Sequence, residues 1–365
     1  MFRVVIASVF VAALVVPASA QNPPPQTPPV AGQARGQGAG PGQGRAPLTP
    51  EQITAARERE VEQQKVTDAT WRKASEGVMA MEKITYKSKA GGLSIPAFVF
   101  TPLQPRGDKG HPALVWVHPD IRGHVYEYFI PHVQDAVKRG YVVIAPEYRG
   151  SFGYGQAHYD AIDYGGEEVD DVTSATEYLK TMAIVDPARI GIIGWSHGGM
   201  ITLLAAERET KMFKAAAALV PVTNLFQRLA WSGVEQRKQA IDPQNRTGGL
   251  PAQRHDEYKR RSPIYQIDNV EIPLLVHITK NDRDVVIEEA MQLVDALRAR
   301  KPLTTETKIY DAPIGGHLFD RQYVRQGPPT EIAYYTPTWT PEQRDSWNRV
   351  WTFLDWNLRP YQSAK

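Results

Sequence analysis

A serine hydroxyl becomes a useful nucleophile only where the backbone presents it to a carbonyl and a base stands ready for its proton. Gly194-Trp195-Ser196-His197-Gly198 fits the Gly-x-Ser-x-Gly pattern of a nucleophile elbow. Such an elbow turns a strand sharply into a helix, and the turn has room only for small residues two before and two after the serine. The pattern is short, so its context carries the weight. Ile190, Ile192 and Ile193 read as a buried strand leading in, and Met200–Glu207 reads as a helix leading out. The bland alternative is a glycine-rich strand-to-helix turn with an ordinary serine. A dinucleotide-binding turn does not fit, because Gly191, Gly194 and Gly198 do not give Gly-x-Gly-x-x-Gly.

The serine needs a base, and the base needs a carboxylate to fix its tautomer and stabilise its charge. In α/β hydrolases these follow in the order Ser, Asp or Glu, His. Asn281-Asp282-Arg283-Asp284 comes directly after the apolar run Leu274–Thr279, and Gly315-Gly316-His317 follows Thr305–Tyr310 in the same way. Groups placed just beyond the C-terminal ends of parallel strands gather at one edge of a sheet. Either aspartate could instead cap the helix that begins at Val285, and His317 could be a loop histidine. The glycines before His317 and its downstream position favour the base role. A histidine base must be neutral to act, so activity undiminished at about pH 4 would argue against it.

The elements that must position these residues read as an α/β fold. Eight stretches are expected strands: Ile84–Ser88, Ile95–Phe100, Ala113–His118, Tyr141–Ala145, Ile190–Ile193, Ala215–Val220, Leu274–Thr279 and Thr305–Tyr310. Gly91-Gly92 reads as a hairpin turn between the first two. Helical stretches near Pro131–Arg139, Glu167–Thr181 and Val285–Arg300 alternate with the later strands, the pattern of a mostly parallel sheet covered on both faces. A last helix starts at Thr340 and carries Trp347, Val350, Trp351, Leu354 and Leu358 on one core-facing stripe. The stretch of about 221–270 is too long for a simple connection and reads as a lid-like insertion. Its basic run, Lys259-Arg260-Arg261, reads as a solvated helix face.

Ahead of this domain, residues 1–20 carry the features of a cleavable signal peptide: a basic start, an apolar stretch Val4–Val16 and Ala18-Ser19-Ala20. Residues 21–48 are rich in Pro, Gly and Gln and read as a disordered spacer. Residues 49–80 hold a helix begun by Thr49-Pro50-Glu51-Gln52, a capping threonine followed by proline at the first helical position. That helix is charged and weakly periodic, so it is expected to lie solvated on a catalytic domain spanning 81–365. Export to the periplasm or beyond follows from the signal. The chain contains no cysteine, so its fold must hold without disulfides.

Further motifs carry a family resemblance from about Met81 to Arg359. Tyr148-Arg149-Gly150-Ser151-Phe152-Gly153-Tyr154-Gly155, then Tyr164-Gly165-Gly166 with Val169-Asp170-Asp171-Val172, then Ser262-Pro263 leading to Ile272-Pro273-Leu274-Leu275-Val276-His277, resemble in order the landmarks of the prolyl oligopeptidase family of serine peptidases. The resemblance implies an α/β-hydrolase fold and a peptidase. It also selects Asp282 over Asp284, because the family's aspartate stands three before a valine, here Val285. Three departures stand out. The residues before Met81 cannot build the family's N-terminal β-propeller, His118-Pro119-Asp120 replaces His-Gly-Gly, and Ile278 replaces a glycine. Matching that loop puts the oxyanion donors at the backbone N–H groups of His197 and Asp120, since Pro119 has none to give. The Asp120 carboxylate is expected to turn away, toward Arg122 or Arg149, with a hydroxyl of Tyr126 or Tyr128 as the competing donor. His118, Tyr126 and Tyr128 are candidate pocket residues, with His124 nearby; Tyr148 and Arg149 read as structural.

Other chemistries find little support. There is no His-Glu-x-x-His, no phosphate loop and no calcium-loop glycine near Asp282–Asp284, so neither metal nor cofactor is expected. The formal net charge is +2 with both signs mixed along the chain, which points away from nucleic acid, and no membrane association is expected once the signal is removed. The expected partner is a peptide or ester substrate. Three functions fit the residues: a serine peptidase, a carboxylesterase using the same acyl-enzyme, and a catalytically silent binding protein on this fold.

Overall fold

The computed structural model describes residues 49–231 and 247–361. The expected signal peptide, the expected spacer and part of the insertion lie outside the described residues. Eight strands form one sheet: β1 (Ala80–Lys87), β2 (Ser94–Thr101), β3 (His111–Val117), β4 (Val142–Pro146), β5 (Val185–Trp195), β6 (Ala215–Leu219), β7 (Leu274–Thr279) and β8 (Thr305–Tyr310). Their order across the sheet is β1-β2-β4-β3-β5-β6-β7-β8. The β1–β2 and β2–β4 pairs are antiparallel, and every other pair is parallel. The β1–β2 hairpin turns through Gly91 and Gly92, both at positive φ (67° and 65°), a conformation that side chains disfavour.

The chain order reverses at β3. From there the chain runs outward to β4, then returns to the other side of β3 as β5. Loops leaving the C-terminal ends of β3 and β5 therefore part from one another and leave a crevice, where open α/β sheets place their ligands. Asp120 follows β3 and Ser196 follows β5.

Nine described helices are relevant: α1 (Pro50–Ser75), α2 (Ile130–Arg139), α3 (Gln156–Asp160), α4 (Glu167–Thr181), α5 (His197–Arg208), α6 (Leu225–Trp231), α7 (His255–Arg260), α8 (Ile287–Arg300) and α9 (Pro341–Leu358). One face of the sheet packs on Val172, Leu179, Leu203, Leu204, Leu293 and Leu297 from α4, α5 and α8. The other face packs on Trp71, Val133, Trp347 and Leu354 from α1, α2 and α9. The central strands β3, β4 and β6 are buried along their whole length, as two covered faces require. Among the described residues, no helix is long and apolar enough to cross a membrane.

Two elements differ from their sequence reading. The second half of α1 is not a solvated helix: Trp71 is fully buried with its ring centroid 4.9 Å from that of Phe100, and Gln64, Thr67, Thr70, Ala74 and Ser75 are buried with it. Small and polar residues fill most of that face, so it carries little hydrophobic period. Arg261 is not part of a solvated basic face either. It is buried, and its Nη1 donates to Asp163 Oδ1 at 2.8 Å and to the Tyr164 carbonyl at 2.7 Å, fastening the end of α7 to the loop before α4.

Candidate active site

Ser196 links β5 to α5 with φ 53° and ψ −117°, a strained conformation for a residue with a side chain. Its N–H donates to the Leu219 carbonyl at 3.0 Å, and its own carbonyl accepts from Met200 at 3.0 Å and Val222 at 3.2 Å. The flanking glycines are required by space: a Cβ on Gly194 would lie 2.3 Å from the Gly198 carbonyl oxygen, and one on Gly198 would lie 2.4 Å from that of His118. Close packing thus fixes the elbow, and the elbow fixes the hydroxyl.

His317 lies in a 3-10 turn, Gly316–Arg321, just beyond β8. Its Nδ1 stands 2.7 Å from Asp282 Oδ2, and its Nε2 stands 2.8 Å from Ser196 Oγ. A carboxylate only accepts, so Nδ1 carries the proton in the neutral ring and Nε2 accepts from the serine hydroxyl. The second oxygen of Asp282 accepts from the backbone N–H groups of Asp284 and Val285, each at 2.8 Å. Asp284 itself is exposed, and its carbonyl accepts from Arg228 Nη1 at 2.9 Å. A carboxylate oxygen of Asp284 still falls within 4.8 Å of ligand atoms on Asp282 and His317, a donor set that could suit a cation. A metal there would have to take a His317 nitrogen from one of its two hydrogen bonds. The arrangement suits proton transfer better.

The loop after β3 holds the other side of the crevice. Asp120 sits at φ 70°, with its carbonyl accepting from the Tyr148 hydroxyl at 2.9 Å. Its carboxylate accepts from the Tyr126 hydroxyl at 2.9 Å. The expected arginine partners are engaged elsewhere: Arg149 with Asp171 and Glu167, Arg122 with the Tyr159 ring and carbonyl. Burial and the neighbouring Asp120 charge push the Tyr126 hydroxyl well above its ordinary range, so it stays a donor, and its one proton goes to Asp120. His197 opens α5, where the first backbone N–H groups have no partner within the helix and the helix dipole is positive.

His118 does not line an open pocket. It is fully buried, with Nδ1 on the Pro119 carbonyl at 2.8 Å, Nε2 beside Ser151 Oγ at 2.9 Å and its ring stacked on Tyr148. Burial pushes its imidazole well below the usual histidine range, so it supports the loop as a neutral ring. His124 is likewise buried, against the Tyr126 and Phe152 rings. Tyr126 and Tyr128 are half-buried and stack on each other.

Three positioning contacts escaped the sequence reading. Trp195 Nε1, one residue before the serine, donates to Asp320 Oδ2 at 2.7 Å, and Arg321 Nη2 donates to the His317 carbonyl at 2.7 Å. The first ties the elbow strand to the histidine loop, and the second braces that loop from within. Glu168 Oε1 stands 3.0 Å from His197 Nε2, with Tyr164 stacked on the same imidazole. Asp320-Arg321, three and four residues after His317, is the only local signal, since partners as distant in sequence as Trp195 and Asp320 leave none.

Residues 128–327, more than half of the chain, match the model of the prolyl oligopeptidase family. The chain belongs to that family. Among curated members it is 31% identical over 252 residues to the uncharacterized peptidase YuxL of Bacillus subtilis (strain 168), covering 66% of this chain and 36% of that one. It is 30% identical over 187 residues to the acylamino-acid-releasing enzyme of Arabidopsis thaliana, covering 50% of this chain and 24% of the other. The chain therefore spans about a quarter to just over a third of the length of these family members. A structure of an acylaminoacyl peptidase from Pyrococcus horikoshii superposes with a TM-score of 0.60 at 19% identity, covering 80% of this chain and 43% of that one. At that identity the likeness speaks for the shared α/β-hydrolase fold.

Proposed function

We propose that this chain is a serine peptidase that cleaves peptide bonds through an acyl-enzyme on Ser196, with His317 as base and Asp282 as its orienting carboxylate. The unbroken hydrogen-bonded line Asp282–His317–Ser196 on a strained elbow carries the reading. His317 Nε2 takes the hydroxyl proton as Ser196 Oγ attacks the carbonyl carbon, and Asp282 stabilises the resulting imidazolium. The backbone N–H groups of His197 and Asp120 receive the oxyanion, each worth roughly 3–4 kcal/mol in the transition state. When the C–N bond breaks, Nε2 returns the proton to the departing nitrogen. A water deprotonated by the same nitrogen then releases the acyl group.

The family's peptidases, among them enzymes named for releasing acylated amino acids, support a peptide substrate over an ester. The test pairs a fluorophosphonate probe with X-Pro and X-Ala anilides and p-nitrophenyl acyl esters. Wild-type protein should be labelled on Ser196 and turn over at least one anilide, whereas Ser196→Ala should do neither. Ester turnover without any anilide turnover would favour a carboxylesterase, and labelling retained in Ser196→Ala would sink the assignment. Export to the periplasm or beyond is proposed on the apolar start of the chain and Ala18-Ser19-Ala20. A mature N-terminus at Gln21 is the expected result of sequencing the protein from its native compartment.

A further inference from the structure

The segment between His317 and α9 doubles back beside the candidate triad. Val324 N–H bonds the Thr336 carbonyl at 2.8 Å, Arg325 N–H that of Tyr334 at 3.0 Å, and Thr338 N–H that of Gln322 at 3.1 Å. Tyr323 lies opposite Pro337 in this loop, and Gln343 Nε2 holds its base through the Gln322 carbonyl at 2.9 Å. The loop brings Tyr323 up to Tyr128, with centroids 6.0 Å apart and planes 20° from parallel. Tyr128 in turn stacks on Tyr126 at 5.0 Å and 12°. Behind Tyr323 stands the buried ring of Tyr335, at 5.5 Å. Tyr126, Tyr128 and Tyr323 thus form a braced row of half-buried rings.

The row is tied to the site by a hydrogen bond at one end and through the chain at the other. Tyr126 bonds the Asp120 carboxylate, and Tyr323 stands two residues after Arg321, which holds the His317 carbonyl. Which half of a substrate meets it follows from proton transfer. The acyl half stays on Ser196, while the departing amine must lie within reach of His317 Nε2 to receive its proton. A wall built on the residues after His317 therefore flanks the departing half.

Resting on the acyl-transfer reading above, we propose that the Tyr126–Tyr128–Tyr323 row binds the leaving-group side of a peptide and selects an aromatic residue immediately after the scissile bond. Rings already held at stacking distance accept a further ring by offset or edge-on contact without first being ordered. The expected selectivity is on the order of tenfold in kcat/KM over a small residue at that position.

The test digests a mixed-sequence peptide library with wild-type, Tyr323→Ala and Tyr323→Phe proteins and reads the cleavage sites by mass spectrometry. Wild type should enrich Phe, Tyr and Trp just after the cut, Tyr323→Ala should lose most of that enrichment, and Tyr323→Phe should keep it. The enrichment is a ratio within one digest, so it does not depend on how much active protein each variant yields. Cleavage without aromatic enrichment would overturn the proposal, as would equal enrichment in Tyr323→Ala. So would an uncut library from protein whose Ser196 takes the fluorophosphonate. Absence of that labelling would instead strike the acyl-transfer reading, and the role of the wall with it.

Discussion

Helices α1 and α9 begin with the same four residues, Thr49-Pro50-Glu51-Gln52 and Thr340-Pro341-Glu342-Gln343, yet these starts serve different ends. In α1 the box closes on itself at an exposed terminus: Gln52 Oε1 accepts from Thr49 N–H at 2.9 Å, and Thr49 Oγ1 accepts from Gln52 N–H at 3.3 Å. In α9 the threonine still caps Gln343 N–H, but the glutamine side chain is fully buried and reaches outward. Its Nε2 donates to the carbonyls of Asp320 and Gln322, and its Oε1 accepts from Trp339 N–H at 2.6 Å. Local sequence sets the cap, and surroundings decide what else the cap residue holds.

Further along, the two helices converge on one task. Trp71 of α1 donates its indole N–H to the Val125 carbonyl at 3.0 Å, and Val125 N–H bonds the buried Glu147 at 3.1 Å. Trp347 of α9 donates to the Asp320 carbonyl at 2.7 Å, while the buried Asp320 carboxylate accepts from Trp195. Each loop of the candidate site is anchored through a buried acid and a buried tryptophan. The α1 side steadies the loop of Asp120, and the α9 side steadies that of His317.

The largest expected effects fall on the tryptophans. Trp71→Ala and Trp347→Ala should each lose about 3–5 kcal/mol in denaturant unfolding. A loss well below 1 kcal/mol at Trp71 would mean that α1 only rests on the domain. Next come the two glutamines. Gln343→Ala should cost roughly 1–3 kcal/mol and lower kcat, because it removes the buried amide that joins the Asp320 and Gln322 carbonyls of the histidine loop to α9 and takes the acceptor from Trp339 N–H. Gln52→Ala should cost a few tenths of a kcal/mol and leave kcat unchanged. Equal effects of the two would erase the distinction between the two starts.

A further effect is one of pH. Burial pushes the Glu147 carboxyl from 4.5 up to about 8, so the fold keeps it protonated at pH values where the unfolded chain ionises it. The unfolded state then binds fewer protons, and stability falls as pH rises between those values. Glu147→Gln mimics the protonated form. It should melt a few degrees above wild type at pH 8, with the gap narrowing toward pH 5. A gap independent of pH would show that Glu147 does not titrate this way.

Much of this architecture was legible in advance. Each of the eight strands overlaps the stretch read for it. The central ones were read as the continuous apolar runs that a sheet covered on both faces needs. The edge strands β1 and β8, unburied along most of their length, were read by the Gly91-Gly92 turn and by their place in the alternation. The stripe of Trp347, Val350, Trp351, Leu354 and Leu358 is buried throughout for the matching reason in a helix. The second half of α1 was not legible, since Gln64, Thr67 and Thr70 bury polar or small surface that leaves no period. The partner of Asp120 could not be read either. Tyr126 lies six residues away and reaches it only because the loop folds back, while the charges of Arg122 and Arg149 suggested a pairing that Tyr159 and Asp171 had already taken. The ring row needs Tyr128 and Tyr323 brought together across the sheet edge, and nothing local to either encodes that.

Whether Asp282 and His317 work as one unit with Ser196 is tested most directly by the two neighbouring aspartates. Asp282 holds His317 Nδ1 at 2.7 Å, whereas Asp284 stands exposed and contributes a backbone N–H to Asp282. Removing the charge that fixes the imidazole tautomer should cost about 10⁴ in kcat, as it does in other serine hydrolases. Steady-state kinetics on the best anilide should therefore show Asp282→Asn losing three to four orders of magnitude and Asp284→Asn staying within about fivefold of wild type. A near wild-type Asp282→Asn, or the large loss falling on Asp284→Asn, would contradict the account.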